Sequence, residues 1–479
     1  MTRHTKIIAT IGPSTIKEMD LQALMTADVN VFRFNFSHGS NKGKGEVIEL
    51  IRRIAARKGR TVALLGDLQG PKIRTGEMKN GAMEVRSGMK VIITNREMLG
   101  SDGVIPTGYL DLPKDVKRGN RILIDDGAIE LKVEFVEEDE VVCRVISGGT
   151  VKNHKGINLP GVVISAPALT DKDLEDVAFC ARLELDFIAL SFVRQASDIV
   201  QLKRYLQSLR SEIRVIAKIE KPEAIEDFKA ILEAADGIMV ARGDLGVEMN
   251  PEKVPLLQKN IIAKCNRAGK PVITATQMLE SMIVNQQPTL AETSDVANAI
   301  LDGTDAVMLS GETAIGKYPH RAIRVINRVA LDIERNLPRG NNNPASPEKK
   351  LGGRTGSSLT EAIGQAACRV ASEVGAKAIL AFTQTGNTAT LVTKYRPSIP
   401  IYAVTPSTRV QRLMCIYSGV RALVVDFQGN TEAQIDEVEA AVLASGVLQD
   451  GSLVVITMGS PLSAPGTTNL LKIHRLTKR

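Results

Sequence analysis

Arg214–Glu248 has the sequence RVIAKIEKPEAIEDFKAILEAADGIMVARGDLGVE, in which two short apolar runs flank a helical segment. This pattern predicts a strand, a helix and a second strand, with Glu220 and Asp244 following the two strands. The carboxyl ends of neighbouring parallel strands meet at one face, so these carboxylates should share a pocket. Together with Lys218 they would suit Mg²⁺ carrying a phosphorylated anion. This stretch alone leaves open the alternative of two surface salt bridges at loop ends.

The same alternation of apolar runs and helical segments occurs eight times in the chain. The apolar runs are Lys6–Thr10, Asn30–Phe36, Thr61–Leu68, Phe187–Phe192, Arg214–Glu220, Gly237–Gly243, Pro271–Gln277 and Ala306–Glu312. Eight such units predict an α/β fold of the (β/α)₈ TIM-barrel type, with the active site at the carboxyl ends of the strands. Polar residues are concentrated at those ends, as the barrel requires: Arg33, Asn35, Ser37, Asp67, Ser191, Lys218, Glu220, Asp244, Thr274, Thr276, Ser310 and Glu312.

Residues 70–166 interrupt the barrel pattern with a period typical of strands. Ile122–Ile129 predicts a hairpin around an Asp-Gly turn, and Leu131, Val133 and Phe135 should alternate between the two faces of a strand. We therefore predict an all-β lid domain, carried between the third strand and its helix and able to exclude water from the site. The alternative is a purely structural insert. The barrel catalytic domain would then comprise residues 1–69 and 167–337.

The rest of the chain predicts a linker at 338–353 and a C-terminal α/β domain at 354–479. Its candidate strands are Ala376–Thr383, Ile399–Thr405, Arg421–Phe427 and Ser452–Met458. Thr431 and Gln434 suggest a capping box for a helix that Gly446 ends. The loop Thr383–Thr388 could hold a phosphate through its backbone N–H groups, or could simply cap a helix.

Composition restricts the classes of partner. The net charge is +7 and the pI about 9.0, but the basic residues are dispersed, aromatics are 3% and Trp is absent. This favours small phosphorylated anions over nucleic acid. Five cysteines without a CxxC pair indicate reduced thiols and a cytoplasmic location. No apolar run approaches the roughly 18 residues of a membrane span, so we expect no membrane partner.

Two further motifs do not predict the chemistry that they suggest at first sight. Residues 311–317, GETAIGK, have the spacing of a P-loop, but Tyr318 follows where a Ser or Thr should bind Mg²⁺. His38 follows Ser37, but no Ser-His-Asp arrangement accompanies them. We therefore predict neither a P-loop nor a serine nucleophile.

Seven motifs together resemble the pyruvate kinase family in its bacterial form. They are RFNFSHG (33–39), GPKIRTG (70–76), KGINLPG (155–161), IAKIE (216–220), MVARGDLGVE (239–248), ATQMLESM (275–282) and DGTDAVMLSGETA (302–314). The resemblance runs in order through nearly all of the first 340 residues. It implies transfer of the phosphoryl group from phosphoenolpyruvate to ADP, giving pyruvate and ATP in glycolysis.

The resemblance also implies roles for individual residues. Glu220 and Asp244 would bind Mg²⁺, with Mn²⁺ as the alternative metal, and Lys218 would stabilise charge on the enolate oxygen. Arg33 would hold the phosphoryl oxygens. The remaining implied roles are substrate carboxylate binding by Gly243, Asp244 and Thr276, proton relay by Thr276 and Ser310, and nucleotide binding by Arg74, Lys155, Asn35 and His38.

One position departs from the K⁺-dependent members, in which a glutamate stands where this chain has Lys72. In those members K⁺ lies among residues that correspond to Asn35, Ser37, Asp67 and the carbonyl of Leu68. An ammonium nearby would partly replace K⁺ and compete with it for a carboxylate. We therefore predict that K⁺ is not required.

The final domain resembles the family's regulatory domain. Its effector loop would comprise Thr383, Thr385, Gly386, Asn387 and Thr388, with a sugar phosphate or nucleotide monophosphate as the activator. The resemblance also implies a homotetramer.

Two other functions are alternatives to phosphoryl transfer from phosphoenolpyruvate to ADP. A Mg²⁺-dependent lyase or aldolase on a TIM barrel would also stabilise a pyruvate enolate, but it would not require Lys218, Arg33 or a lid that closes over a nucleotide. A non-catalytic effector-sensing protein would have lost a metal ligand or the lysine.

Overall fold

The structure is a computed structural model that describes residues 3–336, 359–459 and 467–478. The chain begins with three strands of a parallel sheet and two intervening helices. These elements are β1 (Lys6–Thr10), α1 (Glu18–Thr26), β2 (Val31–Asn35), α2 (Asn41–Arg57) and β3 (Ala63–Asp67). Each strand is buried almost throughout, as expected for a parallel sheet covered by helices.

A separate β domain follows β3. Its elements are β4 (Ala82–Val85), β5 (Lys90–Thr94), β6 (Val104–Pro106), α3 (Leu112–Asp115), β7 (Arg121–Ile124), β8 (Ile129–Glu137), β9 (Glu140–Ser147), β10 (Gly149–Lys152) and β11 (Ile157–Asn158). They form a six-stranded sheet in the order β11-β7-β8-β9-β5-β6 and a two-stranded sheet of β10 and β4. The predicted hairpin is present as β7 and β8. The predicted alternation is wrong at Phe135, which is 40% exposed, because β8 and β9 shift register between Val133 and Phe135.

The chain then returns to the barrel. The elements are α4 (Asp171–Arg182), β12 (Phe187–Leu190), α5 (Ala196–Ser208), β13 (Arg214–Ile219), α6 (Pro222–Glu226), α7 (Phe228–Ala234), β14 (Gly237–Ala241), α8 (Arg242–Glu248), α9 (Val254–Ala268), β15 (Val272–Ala275), α10 (Leu290–Leu301), β16 (Ala306–Leu309), α11 (Gly311–Ala314) and α12 (Pro319–Asn336). Short 3₁₀ turns occupy Pro251–Lys253 and Glu280–Ile283.

Eight parallel strands close into a barrel in the order β1-β16-β15-β14-β13-β12-β3-β2. The predicted TIM barrel is therefore confirmed, and each predicted strand overlaps an observed one. The predicted runs extend past most of the observed carboxyl ends, because the residues there leave the ladder to form the site. Glu220, Thr276 and Ser310, for example, all follow their strands directly or by one position.

The C-terminal unit is also an α/β domain. Its elements are α13 (Leu359–Glu373), β17 (Ala378–Phe382), α14 (Asn387–Thr393), β18 (Ile401–Thr405), α15 (Thr408–Leu413), a 3₁₀ turn at Met414–Ile416, β19 (Val420–Val424), α16 (Thr431–Ala444), β20 (Leu453–Met458) and β21 (Leu470–Arg475). The sheet order is β19-β18-β17-β20-β21, with β21 antiparallel. Sequence analysis missed β21, and the predicted linker at 338–353 lies outside the described residues.

The predicted capping box of α16 is wrong. Asn430 is the N-cap residue, and its side chain accepts a hydrogen bond from the N–H of Ala433. Thr431 is already the first helical residue, and the amide of Gln434 donates to the carbonyl of Gly429. Asn is a better N-cap than Thr, so the helix begins one residue earlier than predicted. The predicted helix end is present, with Gly446 at a φ of 68° directly after the C-cap.

The barrel interior is continuous with the C-terminal domain. Ile8, Leu65 and Met308 inside the barrel belong to one apolar cluster with Ile379 and Ala403 of the C-terminal sheet. At the start of β1, Lys6 Nζ donates to the carbonyl of Val420, at 2.6 Å. The amino-terminal end of the barrel is therefore closed by the C-terminal domain, which leaves the carboxyl end for the site. Within the residues described, no helix combines the length and apolar character needed to cross a membrane.

Candidate active site

Lys218 lies at the centre of the polar cluster at the carboxyl end of the barrel. Its ammonium is 2.8 Å from Ser191 Oγ, 2.9 Å from Glu220 Oε1 and 3.1 Å from Asp67 Oδ1. Its side chain is only 12% exposed. Burial alone would lower the pKa of Lys218, but Asp67, Glu220 and Asp244 outweigh it and raise that pKa. The surrounding carboxylates therefore keep the buried Lys218 side chain protonated.

Arg33 supplies a second buried cation to the same cluster. Its Nε lies 2.7 Å from Asp67 Oδ2 and its Nη1 is 2.9 Å from Thr10 Oγ1. Burial would raise the pKa of Asp67, but Arg33 and Lys218 hold it below its usual range. Asp67 is thus an ionised bridge that fixes both cations, because each of its oxygens binds one of them.

Glu220 is held by a strained piece of backbone. Its Oε2 accepts a hydrogen bond of 2.7 Å from the N–H of Phe192, which follows β12 with a φ of 53°. A bulky residue with positive φ is an outlier that the surrounding structure must stabilise. Burial, together with the nearby carboxylate of Asp244, raises the pKa of Glu220, against the effect of Lys218.

Asp244 completes a pair of carboxylates that fits a divalent cation. It lies in the first turn of α8, directly after β14, and its Oδ1 is 3.9 Å from Lys72 Nζ. Strands β13 and β14 are neighbours, so Glu220 and Asp244 leave adjacent strands, as predicted. The described residues contain no converging group of three or more His, Cys, Asp or Glu side chains. Two carboxylates are nevertheless a sufficient protein contribution for Mg²⁺, which takes its other ligands from water and substrate phosphates.

Thr276 is held in a left-handed backbone conformation next to these carboxylates. Its φ is 64° and that of Gln277 is 54°. Thr276 Oγ1 accepts a hydrogen bond of 2.8 Å from the N–H of Gly243 and donates one of 2.6 Å to the carbonyl of Ala275. The contact brings together Thr276 and Gly243, two of the three residues predicted to bind the substrate carboxylate.

Sequence analysis missed Arg242, which fixes this turn. Its buried guanidinium donates to the carbonyls of Ala275, Thr276 and Gln277, at 3.3, 2.6 and 3.3 Å. Two further hydrogen bonds, of 2.7 and 2.6 Å, tie it to the carboxylate of Asp295 on α10. The available signal was a charged residue near the end of the predicted run Gly237–Gly243, two positions before the predicted metal ligand Asp244.

Ser310 follows β16, the neighbour of β15 in the barrel. Its N–H donates to Glu312 Oε2 at 2.7 Å, and Glu312 Oε1 accepts from the N–H of Leu279 at 3.0 Å. Buried Glu312 therefore anchors the start of α11, where the P-loop pattern lies, to the segment that follows Thr276.

Two of the predicted nucleotide residues, Arg74 and Lys155, belong to the β domain. Arg74 Nη1 donates to the carbonyl of His154 at 2.9 Å, and Lys155 Nζ is 2.9 Å from Asp125 Oδ1 in the β7–β8 turn. Burial first, then the nearby cations Arg74, Lys44, Lys72 and Arg33, lower the pKa of His38. His38 therefore shares a strongly basic surrounding with Arg74. A cavity of about 670 Å³ is lined by Asp126 of the β domain and Gly243 of the barrel, among other residues.

The predicted monovalent-cation position contains groups that already have partners. Both oxygens of Asp67 contact cations, and the carbonyl of Leu68 accepts a hydrogen bond of 2.7 Å from Ser191. Asn35 Oδ1 accepts from the N–H of Ser37 at 3.0 Å. Lys72 forms its ion pair with Asp244 rather than with Asp67.

The predicted effector loop is tightly organised in the C-terminal domain. Thr383 Oγ1 accepts a hydrogen bond of 2.8 Å from the N–H of Gly386, and Thr388 Oγ1 lies 2.9 Å from Thr468 Oγ1. Gly386 has a φ of 94°, so the turn favours glycine. Of the threonines, only Thr385 is exposed.

Comparison with known proteins gives one consistent result. Family models described as the pyruvate kinase barrel domain and the pyruvate kinase alpha/beta domain match residues 2–323 and 361–474. The chain is 47% identical to a pyruvate kinase of Geobacillus stearothermophilus over 477 residues, 99% of this chain and 80% of that protein. It is 45% identical to one from Staphylococcus aureus strain MRSA252, over 98% and 80% of the two lengths. A crystal structure of a pyruvate kinase from Cryptosporidium parvum matches with a TM-score of 0.92 and 40% identity, covering 99% of this chain and 96% of that chain.

Proposed function

The chain belongs to the pyruvate kinase family, and we propose that the cluster around Lys218 is the centre at which it performs that family's reaction. The reaction transfers the phosphoryl group from phosphoenolpyruvate to ADP and yields pyruvate and ATP. The alternative of a lyase or aldolase receives no support from the comparisons. A cytoplasmic location remains our proposal, supported by the five free cysteines.

The observation that carries the proposal is the buried contact of Lys218 with three oxygens. Phosphoryl transfer offers a protein little covalent chemistry, so its main contribution is to place positive charge where negative charge develops. Lys218 would stabilise the enolate oxygen that leaves the phosphoryl group, and Arg33 would hold the phosphoryl oxygens. Asp67 fixes both cations before the substrate arrives, so little reorganisation is needed during the reaction.

Enzymes of this family generally need a divalent metal, usually Mg²⁺. We propose that Glu220 and Asp244 hold it, with Mn²⁺ as a substitute. When bound, the metal would neutralise charge on the phosphoryl group and the enolate. Burial and then the nearby carboxylate of Asp244 raise the pKa of Glu220, against the effect of Lys218. This supports the assignment, since a bound cation would offset the repulsion that Asp244 exerts on Glu220.

Thr276 and Gly243 would orient the carboxylate of phosphoenolpyruvate, together with the backbone N–H of Asp244. A proton must then reach the enolate carbon, and we propose that Thr276 and Ser310 relay it. The left-handed turn held by Arg242 supports this role, because strained backbone at a site is retained when it positions a functional group.

The nucleotide would bind between the barrel and the lid. Arg74 and Lys155 of the lid side, with Asn35 and His38 of the barrel, would surround its phosphates. We propose that residues 70–166 form the lid domain, that residues 1–69 and 167–337 form the catalytic barrel and that residues 354–479 form the regulatory domain. Closure of the lid would exclude water while the phosphoryl group is transferred.

Monovalent cations usually also assist this family. We propose that this chain does not require K⁺, because Lys72 brings an ammonium to the site. The contact of Lys72 with Asp244 suggests that its charge acts beside the divalent metal. The predicted K⁺ ligands Asp67 and Leu68 meanwhile have partners within the protein.

We further propose that the loop Thr383–Thr388 binds a phosphorylated activator. Exposed Thr385 and Asn387 flank Gly386, whose N–H is already bonded to Thr383. An activator would act by binding one of two states more tightly. A homotetramer would provide such states, and it remains a proposal from family resemblance.

The test of the site compares Glu220→Gln with Glu226→Gln, an exposed carboxylate on the following helix. We expect Glu220→Gln to lose Mn²⁺ binding, measured by electron paramagnetic resonance, and to lose orders of magnitude in pyruvate formation. Glu226→Gln should match the parent protein in both, and circular dichroism should show that both variants are folded. Full turnover by Glu220→Gln would exclude our assignment.

A further inference from the structure

A buried ion pair outside the substrate site joins Lys221 and Glu248. Lys221 Nζ is 2.7 Å from Glu248 Oε1, and the two side chains are 5% and 1% exposed. Removing two charges from water costs free energy that their attraction repays only in good geometry, so a buried pair is weak evidence for stability. Its position in the chain indicates a different role.

The pair connects the two segments that carry the proposed metal ligands. Lys221 follows Glu220 directly, at the point where the chain leaves β13. Glu248 is the last residue of the short helix α8, whose first turn contains Asp244. A fixed distance of 2.7 Å between Lys221 and Glu248 therefore restrains the separation of Glu220 and Asp244, because neither connection contains a flexible loop.

The lid domain joins the same carboxylate. Asn158 Nδ2 donates to Glu248 Oε1 at 2.8 Å, and Asn158 is 6% exposed. Asn158 ends β11, the strand by which the lid returns to the barrel, and it pairs with Leu123 of β7. The other oxygen of Glu248 is buried and has no hydrogen-bond partner among the described residues. Glu248 is thus the junction of two barrel segments and the base of the lid.

We propose that Asn158, Lys221 and Glu248 form a buried latch that positions the two metal ligands relative to each other and to the lid. These are positioning residues, since they act through Glu220, Asp244 and the lid strand. The inference rests on the proposed roles of Glu220 and Asp244. Through Glu248 Oε1, the latch couples the position of the lid to the affinity for the metal.

The first experiment replaces the pair by apolar side chains of similar size, in the double variant Lys221→Met with Glu248→Met. Replacing both charges together avoids an unpaired buried charge, so the variant should remain folded. We expect its dissociation constant for Mn²⁺, measured by electron paramagnetic resonance without substrates, to rise about tenfold or more, as for other residues that support metal ligands. A merely structural pair would change the melting temperature but not the Mn²⁺ affinity of the folded protein.

The second experiment leaves both charges in place and removes only the lid contact, by Asn158→Leu. The matched control is Asn120→Leu, which removes a hydrogen bond from the N–H of Lys117 inside the lid. We expect Asn158→Leu to speed amide hydrogen exchange at residues 155–161 and to raise the KM for ADP severalfold, with KM for phosphoenolpyruvate nearly unchanged. The control should do neither.

The outcomes separate this inference from the proposed function. If Glu220→Gln loses Mn²⁺ binding but the double variant binds Mn²⁺ like the parent protein, the latch is overturned while the site stands. If Glu220→Gln itself binds Mn²⁺ normally, the assignment of Glu220 as a metal ligand is overturned, and with it the premise of the latch. If Asn158→Leu and Asn120→Leu show the same exchange and the same KM for ADP, the coupling to the lid is overturned.

Discussion

Lys218 Nζ lies 2.9 Å from Glu220 Oε1, although only one residue separates the two in the chain. Side chains two positions apart on a strand point to the same side, so the end of β13 presents a cation and an anion together. Each charge offsets part of the free-energy cost of burying the other. A substitution of either residue therefore also changes the electrostatic environment of the other.

The first prediction concerns Lys218→Met, which keeps the length of the side chain and removes its charge. We expect kcat for pyruvate formation to fall by about 10²- to 10³-fold or more, because a charge that stabilises the transition state is lost. The KM for phosphoenolpyruvate should change less. Lys203→Met is the control, since Lys203 forms its ion pair with Asp236 on the barrel exterior. Equal kcat values for the two variants would contradict the role of Lys218.

The second prediction concerns Arg242, which holds the turn at Thr276 through three carbonyls. Arg242→Lys keeps the charge but cannot donate to all of these groups, because an ammonium lacks the planar arrangement of five donors. We expect kcat to fall more than tenfold and the free energy of unfolding to fall by about 1–3 kcal/mol, as carbonyls lose their donors. Steady-state kinetics and urea unfolding would measure the two effects. A variant that loses stability but keeps kcat would show that Arg242 does not position Thr276.

The barrel and much of the site could be predicted because they depend on local patterns. Buried parallel strands give continuous apolar runs, and a polar residue directly after such a run belongs to the catalytic face. Glu220 met this condition, and Lys218, Asp67 and Arg33 are polar residues among the last three positions of their strands. The structure brings these four side chains together.

The missed features depend on contacts between distant segments. Arg242 is recognised only when its guanidinium is seen against the carbonyls of Ala275 to Gln277. Phe192 and Thr276 both have a left-handed backbone conformation. Phe and Thr ordinarily avoid this conformation, so nothing in the sequence indicated it at these two positions. At Phe135, the register shift between β8 and β9 overrides the alternation that the sequence shows.

The third prediction concerns the monovalent cation. The parent protein should retain most of its activity when K⁺ is replaced by tetramethylammonium at constant ionic strength, because Lys72 supplies the positive charge. Lys72→Glu should lose most of its activity in tetramethylammonium and recover with K⁺, since a carboxylate beside Asp244 needs a cation. Initial rates over a K⁺ titration measure both. Collapse of the parent's turnover without K⁺ would refute this prediction.

The fourth prediction concerns the effector loop. Thr385→Asp adds a negative charge where a phosphate would bind, so activation by sugar phosphates or nucleotide monophosphates should be lost while basal activity remains. Thr431→Asp is the control, because it adds the same charge in the first turn of α16, where a carboxylate is tolerated. If every activator of the parent protein acts equally on Thr385→Asp, the effector binds elsewhere.

The last prediction concerns Lys6, which joins the barrel to the C-terminal domain. Burial lowers its pKa to about 8, from an ordinary value of 10.5. Between these two pH values the unfolded chain holds the proton and the folded protein does not, so stability from this group increases as pH rises. The full difference corresponds to roughly 3 kcal/mol.

Buried cysteines act in the opposite direction over the same pH range, so the measurement compares the parent protein with Lys6→Met. Burial raises the pKa of Cys143 to about 12, for example, and this contribution is present in both proteins because Lys6 does not act on Cys143. We expect the free energy of unfolding of the parent to rise relative to that of Lys6→Met between pH 8 and 10.5. Parallel curves from urea unfolding would show that Lys6 keeps an ordinary pKa despite its burial.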